Sequence, residues 1–138
     1  MLRDGDLIEL HLQGTLDSGE VFDNTRGRRP RVFVLGRAQL LPAFETAIKV
    51  MSPGETLRFR LGSEDAYGAH DPALVLELPR AEAPVSAQTG DWLQLSNGRP
   101  AAIVRLDDHT VTIDANHQFA GLDLNFEVEL ISARPVLT

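Results

Sequence analysis

Near the start of the chain, hydrophobic and polar positions take turns. In DLIELHLQG (6–14), Ile8, Leu10 and Leu12 fall on one side and Glu9, His11 and Gln13 on the other. Period two predicts a strand with one buried face. Asp17-Ser18-Gly19 supplies a hairpin turn, and Val21-Phe22 a short returning strand. After the polar stretch NTRGRRPR, the run VFVLG (32–36) predicts a third strand. The period then lengthens. In LPAFETAIKVM (41–51), Leu41, Phe44, Ala47, Ile48 and Met51 recur at helical spacing, Pro42 suits a first turn, and the following Ser-Pro-Gly stops the helix. TLRFRLG (56–62) alternates once more, with Leu57, Phe59 and Leu61 on one face.

From about residue 72 the character changes. ALVLELPRAEAPVSAQTG mixes a short strand with Pro, Ala and Ser. Asn97-Gly98 then separates two apolar runs, a strong hairpin signal, and a turn at Asp107-Asp108 leads into HTVTIDA. NFEVELIS (125–132) is the last strand, alternating Phe126, Val128 and Leu130 with Glu127 and Glu129. The pattern predicts an α+β chain: a mostly antiparallel sheet packed on one short helix. Residues 72–120 form a β-rich insert ahead of the last strand. An insert needs its own core, and Trp92, Leu93, Leu95, Ile103, Val104, Val111 and Ile113 could supply one.

The 138 residues allow one domain or two small ones, and 43% hydrophobic with 24% charged residues is an ordinary globular balance. The net charge of -7 makes a poor nonspecific ligand for nucleic acid. The lack of Cys excludes disulfides and thiolate chemistry. The opening MLRDGDLIEL has no secretory pattern and no apolar run spans a bilayer, so a cytoplasmic protein without membrane contact is expected.

Few residues carry obvious chemistry. There is no G-x-S-x-G and no glycine-rich phosphate loop. His11, His70, His109 and His117 lack the spacing of a zinc site, so no metal or other cofactor is expected. The cluster Arg26, Arg28, Arg29 and Arg31 reads as a solvated loop with one Arg paired to Asp23, or as a contact for phosphate or an acidic partner. Asp107-Asp108 and Glu64-Asp65 sit at turns. What remains is aromatic. Phe33 and Phe59 read as core. Phe22, Phe44 and the single Tyr67 lie on three different elements that could line one cleft, which suits binding better than bond-breaking.

The ordered set LQGTLDSGEVFDNTR, VFVLG, LLPAFETAIKVMSPGE and DAYGAHDP, with NHQFAGLDLNFEVELI at the end, resembles the FK506-binding class of peptidyl-prolyl isomerases, FKBP. The long stretch between AYG and FEVEL is similar to the insert-in-flap domain of the bacterial SlyD and SlpA group. The likeness covers nearly the whole chain. It implies an FKBP-like half-barrel sheet wrapped on one helix, an isomerase domain made of 1–71 and 121–138, and an insert-in-flap chaperone domain at 72–120.

By motif, the resemblance places Phe22, Asp23, Tyr67 and Phe126 in the catalytic pocket. It places Leu40, Leu41 and Phe44 against the substrate. Leu12 and Arg31 stand where many members have a Tyr and an aromatic residue. The chain stops at SARPVLT without a His-rich tail, so no metal-delivery role is implied. The function implied is X-Pro isomerisation during folding, with clients held through the insert by Leu74, Val75, Leu76, Leu78, Val85 and Phe119. Partners implied are unfolded or nascent polypeptides, with the ribosome left open; a monomer is expected. The alternative is a catalytically weak chaperone or ribosome-associated module whose proline pocket Leu12 and Arg31 have degraded.

Overall fold

The computed structural model describes residues 1–136; the last two residues of the 121–138 segment lie outside them. The chain divides into two compact units, Met1–Ala69 with the chain from Gly121 onward, and His70–Ala120.

The first unit is built on one long antiparallel pair. Strand β1 (Asp6–Leu16) meets β9 (Leu124–Pro135) from Asp6 opposite Pro135 to Leu16 opposite Leu124. Along the other edge of β1 lie β3 (Arg31–Val34), opposite Leu7 to Leu10, and β2 (Val21–Asn24), opposite Gln13 to Thr15. Strand β4 (Thr56–Leu61) completes the sheet on the far edge of β9. The predicted alternation is what faces inward: Ile8, Leu10 and Leu12 from β1 and Leu124, Phe126, Val128 and Leu130 from β9 are all buried. Helix α1 (Pro42–Ile48) covers that face with Phe44 and Ile48. Burying such side chains supplies about 1.5–3 kcal/mol each, which outweighs any propensity of a seven-residue helix to form alone.

The helix is shorter than its periodicity predicts. Leu41 is its N-cap rather than a member of its face. The chain tightens after Ile48, where the Met51 amide donates to the Ile48 carbonyl at 3.0 Å and the Lys49 carbonyl accepts from Leu2 at 2.8 Å. Met51 is buried, but from the turn.

The edge of β1 has a gap between β2 and β3, and Thr25 fills it. Only 2% exposed, its hydroxyl accepts from the Leu12 amide at 2.9 Å, and His11 Nδ1 lies 2.9 Å from the same oxygen. A backbone group at a buried position has to be paired, and this side chain does it.

In the second unit, β5 (Val75–Pro79), β8 (Thr110–Asp114), β7 (Pro100–Leu106) and β6 (Trp92–Gln94) lie side by side in that order, all antiparallel. Asn97-Gly98 makes the predicted β6–β7 hairpin, with Gly98 at a φ of 85°. The core differs from the expected one. Ile103, Val111 and Ile113 are buried and Leu93 and Leu95 pack against them, but Trp92 and Val104 are about half exposed. A bulge between Ile103 and Arg105 breaks the alternation at Val104. Trp92 alternates with the inward Leu93. The missing volume comes from Ala83, Ala87, Ala101 and Ala115, small residues whose burial no periodicity announces.

Where the chain enters and leaves this unit, Asn116 bridges it. Its side chain accepts from the Asp71 amide at 2.9 Å and donates to the Asp71 carbonyl at 3.0 Å. Asp114 accepts from Asn116 and lies 2.7 Å from His70 Nε2. Burial pushes the Asp114 carboxyl up, but the bonds from His70 and Asn116 outweigh it and hold it below its ordinary value. Among the described residues no three His, Asp or Glu side chains gather as metal ligands. No helix there is long and apolar enough to cross a membrane.

The solvent face of the first sheet carries a ladder of charge. Arg58 binds Glu127 at 2.8 Å, and Arg60 binds Asp17 at 2.6 Å and Asp123 at 2.5 Å. The bonds from Arg60 and then Asn125 lower the Asp17 carboxyl from 3.8 to about 2. A carboxyl with a lower value folded than unfolded favours the fold while ionised, and that contribution fades as pH falls through this interval. Asp17→Asn should therefore lower the urea midpoint at neutral pH, with the deficit shrinking as pH is taken from 3.8 toward about 2. A deficit constant across that range in urea titrations would show that the carboxylate is not responsible.

Candidate active site

Between α1 and the inner face of the first sheet lies a cavity of about 200 Å³. Aromatic edges and faces make it. Phe126 is the centre: its ring centroid is 4.9 Å from Phe44 and 5.9 Å from Phe22, both nearly perpendicular, and 5.5 Å from Phe59. Edge-to-face packing of this kind sets a positive ring edge on a negative face and fixes the rings relative to one another. Phe59 touches Phe44 as well, at 5.2 Å, and buttresses the pair from β4. Leu12 and Leu124 close the apolar lining.

Each wall is placed by its element. Phe126 faces inward by the alternation of β9, and Phe44 by the helical period of α1. Phe22 depends on Gly14. In β1, Gly14 stands opposite both Asp23 and Phe126, and a Cβ there would come within 2.5 Å of Phe22 Cζ. The absence of a side chain is what lets the Phe22 ring lie over the strand.

Leu40 and Leu41, just before the helix, and Gln39 make one lip. The Gln39 carbonyl oxygen accepts from the Val34 amide at 2.8 Å and ties that lip to β3. Tyr67 makes the other, 40% exposed. It follows a short 3-10 turn (Ser63–Asp65), and the chain reverses at Gly68, whose φ of 78° suits Gly. The Gly68 amide donates to Ser63 at 2.7 Å and its carbonyl accepts from Gly121 at 2.6 Å, so the loop is pinned on both sides of the tyrosine.

The charged groups of the cavity are one pair. Asp23 is held by two nitrogens of Arg31, one of them 2.6 Å from Oδ1. That bond to the Asp23 carboxylate pushes the Arg31 guanidinium above its already high ordinary value. The cavity lining has no histidine, serine, threonine, cysteine or lysine. It offers a hollow with aromatic and aliphatic walls and the polar groups of Asp23, Arg31, Gln39 and Tyr67.

The nine residues assigned to the pocket from sequence, Leu12, Phe22, Asp23, Arg31, Leu40, Leu41, Phe44, Tyr67 and Phe126, all line this cavity. Phe33, read as core, lines it too, and Gln39 and Leu124 were not singled out at all. Phe33 pairs opposite the inward Ile8, a register invisible before β3 is paired. The client candidates belong to the second unit. Leu74 and Leu78 pack against that unit's core. Leu76 and Val85 are exposed, at 43% and 97%. Val75 is half-buried on β5 and Phe119 half-buried beside His117, with ring centroids 5.7 Å apart.

The family description for FKBP-type peptidyl-prolyl cis-trans isomerases matches residues 1–131. The chain belongs to that family. It is 32% identical to the short-type peptidyl-prolyl cis-trans isomerase of Methanocaldococcus jannaschii over 96% of this chain and 85% of that protein. To a probable FKBP-type 16 kDa isomerase of Pseudomonas fluorescens it is 31% identical over 92% and 88%. To the isomerase SlyD of Aeromonas hydrophila it is 30% identical over 93% of this chain and 62% of the relative. The protein is thus an isomerase of X-Pro bonds carried on an FKBP-like fold with an additional β unit.

For this FKBP the Gly14–Phe22 contact yields a direct expectation. Gly14→Ala should displace the Phe22 ring and lower kcat/KM on a prolyl tetrapeptide by roughly ten- to a hundredfold, with a stability loss of about 1–3 kcal/mol. Activity unchanged in a folded variant would mean that the ring's seat is irrelevant to turnover.

Proposed function

We propose that this FKBP turns X-Pro bonds in the aromatic cavity and holds unfolded clients through its inserted unit. The observation that carries the first half is the convergence of Phe22, Phe44, Phe126 and Tyr67 on one hollow beside a bound carboxylate. The X-Pro amide is planar by resonance, and rotation meets a barrier of roughly 18–20 kcal/mol. As the bond twists, resonance is lost and the carbonyl becomes less polar. Water favours the planar form, and a dry aromatic seat removes that preference. No covalent adduct is needed. The backbone amide near Leu41 and the Tyr67 hydroxyl would hold the peptide bent, a form shared with the transition state. Asp23, fixed by Arg31, serves to orient the site.

The second half rests on a groove of about 400 Å³ in the inserted unit, lined by Leu76, Leu78, Leu93 and Leu95 over Val111 and Ile113. An open apolar groove on a small unit suits extended apolar segments. Holding a client there raises the effective concentration of its prolines at the pocket. The reading is of a monomer acting on unfolded or nascent chains in the cytoplasm.

Two measurements test the two halves separately. Tyr67→Phe should leave the fold intact and reduce peptide isomerisation several-fold, since one charge-free hydrogen bond is worth about 0.5–1.5 kcal/mol; equal rates would make the hydroxyl idle. Replacing residues 73–119 by a short loop should reduce catalysed refolding of a proline-limited protein far more than turnover of a tetrapeptide. Equal losses on both substrates would refute the division of labour.

A further inference from the structure

One border of the cavity is drawn from a basic segment of an acidic protein. Between Asp23 and Glu45 the chain contains no acidic residue, while Arg26, Arg28, Arg29, Arg31 and Arg37 all fall there, against a net charge of -7 for the whole. This segment is the cavity's own border. It supplies β3, which carries Arg31 and Phe33, and the lip of Gln39, Leu40 and Leu41. Two of the five charges are balanced, Arg26 by Glu129 at 2.6 Å and Arg31 by Asp23. Among the described residues Arg28, Arg29 and Arg37 have no acidic partner, and all three are exposed.

Inside the mouth the charged groups are Arg31 and Asp23, paired to each other. Asp23 takes two of the Arg31 nitrogens, so its oxygens facing that side chain are occupied. A guanidinium has more N–H donors than a carboxylate takes up, and it accepts nothing. The Arg31 side chain remains 42% exposed beside the cavity. On the Arg31 side a substrate therefore meets donors and positive charge, while Glu45 adjoins the lip of Gln39 to Leu41 and Glu64 and Asp65 precede Tyr67.

We propose that Arg31, with the exposed Arg28 and Arg29 of the β2–β3 connection, makes this isomerase selective for acidic segments, with a carboxylate on the residue preceding proline. The proposal rests on the proline-pocket reading above and names the substrate class of that pocket. Arg31 acts at contact, and Arg28 and Arg29 act through the field they set up at the mouth. Exposed charges steer acidic peptides inward at low salt and lose their reach as the Debye length shortens.

The test uses the full chain and three tetrapeptides with Glu, Ala or Lys before proline. Isomerisation is followed directly by NMR exchange, so that no coupling protease imposes its own preference. At low salt the Glu peptide should exceed the Lys peptide in kcat/KM by on the order of three- to tenfold. Roughly 0.5 M salt should reduce this ratio, and the part that survives should vanish in Arg31→Gln. The pair Arg28→Glu with Arg29→Glu should bring the low-salt ratio toward one while leaving the Ala peptide's turnover unchanged. A wild-type ratio of one or below, or a ratio unmoved by the double change, overturns the proposal. So does a result in which the rim binds a single-stranded oligonucleotide while the peptide ratio stays at one. If the Ala peptide is not isomerised either, it is the pocket reading that has failed; a turned-over Ala peptide with no charge preference fails this inference alone.

Discussion

The contact on which the first unit turns is the ring of Phe44 standing on the face of Phe126. It joins the only α-helix of the described residues to a central strand of the sheet. Phe22 and Phe59 lean on the same ring from two further strands. Four rings from four elements thus pack together, and three of them, Phe22, Phe44 and Phe126, also line the cavity. The same residues stabilise the fold and shape the hollow in which a prolyl ring would sit, so the pocket's geometry is as rigid as the packing that produces it.

That economy has a condition. Packing fixes only three sides, and the fourth is loops. The lip of Gln39 to Leu41 is tied to β3 by a hydrogen bond from the Val34 amide to the Gln39 side-chain oxygen, and the Tyr67 loop is pinned through backbone hydrogen bonds at Gly68. These are local devices holding polar groups at the edge of an apolar site. The Arg31–Asp23 pair adds a fixed dipole there in place of an aromatic wall. Its position at the mouth, partly exposed, keeps the desolvation cost of two charges small.

Much of this was legible in the residues. Alternation located β1, β4 and β9, and a change of period located α1, because a sheet with one dry face and a helix with one dry stripe each write their geometry into hydrophobicity. The nine residues that motif order groups together lie around one cavity. What was not readable depended on pairing. Phe33 turned into the cavity because of its register with Ile8, and Gln39 became structural through a bond to Val34. In the insert, Trp92 looked like the obvious core residue, yet four alanines do more of that work. Size suggests burial, but in a thin four-stranded unit the interior admits small side chains and leaves the indole outside.

The long β1–β9 pair has a further meaning for how the chain is made. Strand β9 lies between β1 and β4, yet it is synthesised after the whole of His70–Ala120. Until it emerges, β1 and β4 have no common neighbour and the four-ring contact cannot assemble. The inserted unit depends on no such late arrival: its strands are contiguous, and Asn116 ties its two ends together at Asp71. Every strand of the inserted unit, and every residue of its groove, is therefore synthesised before Phe126 adds the last wall of the cavity.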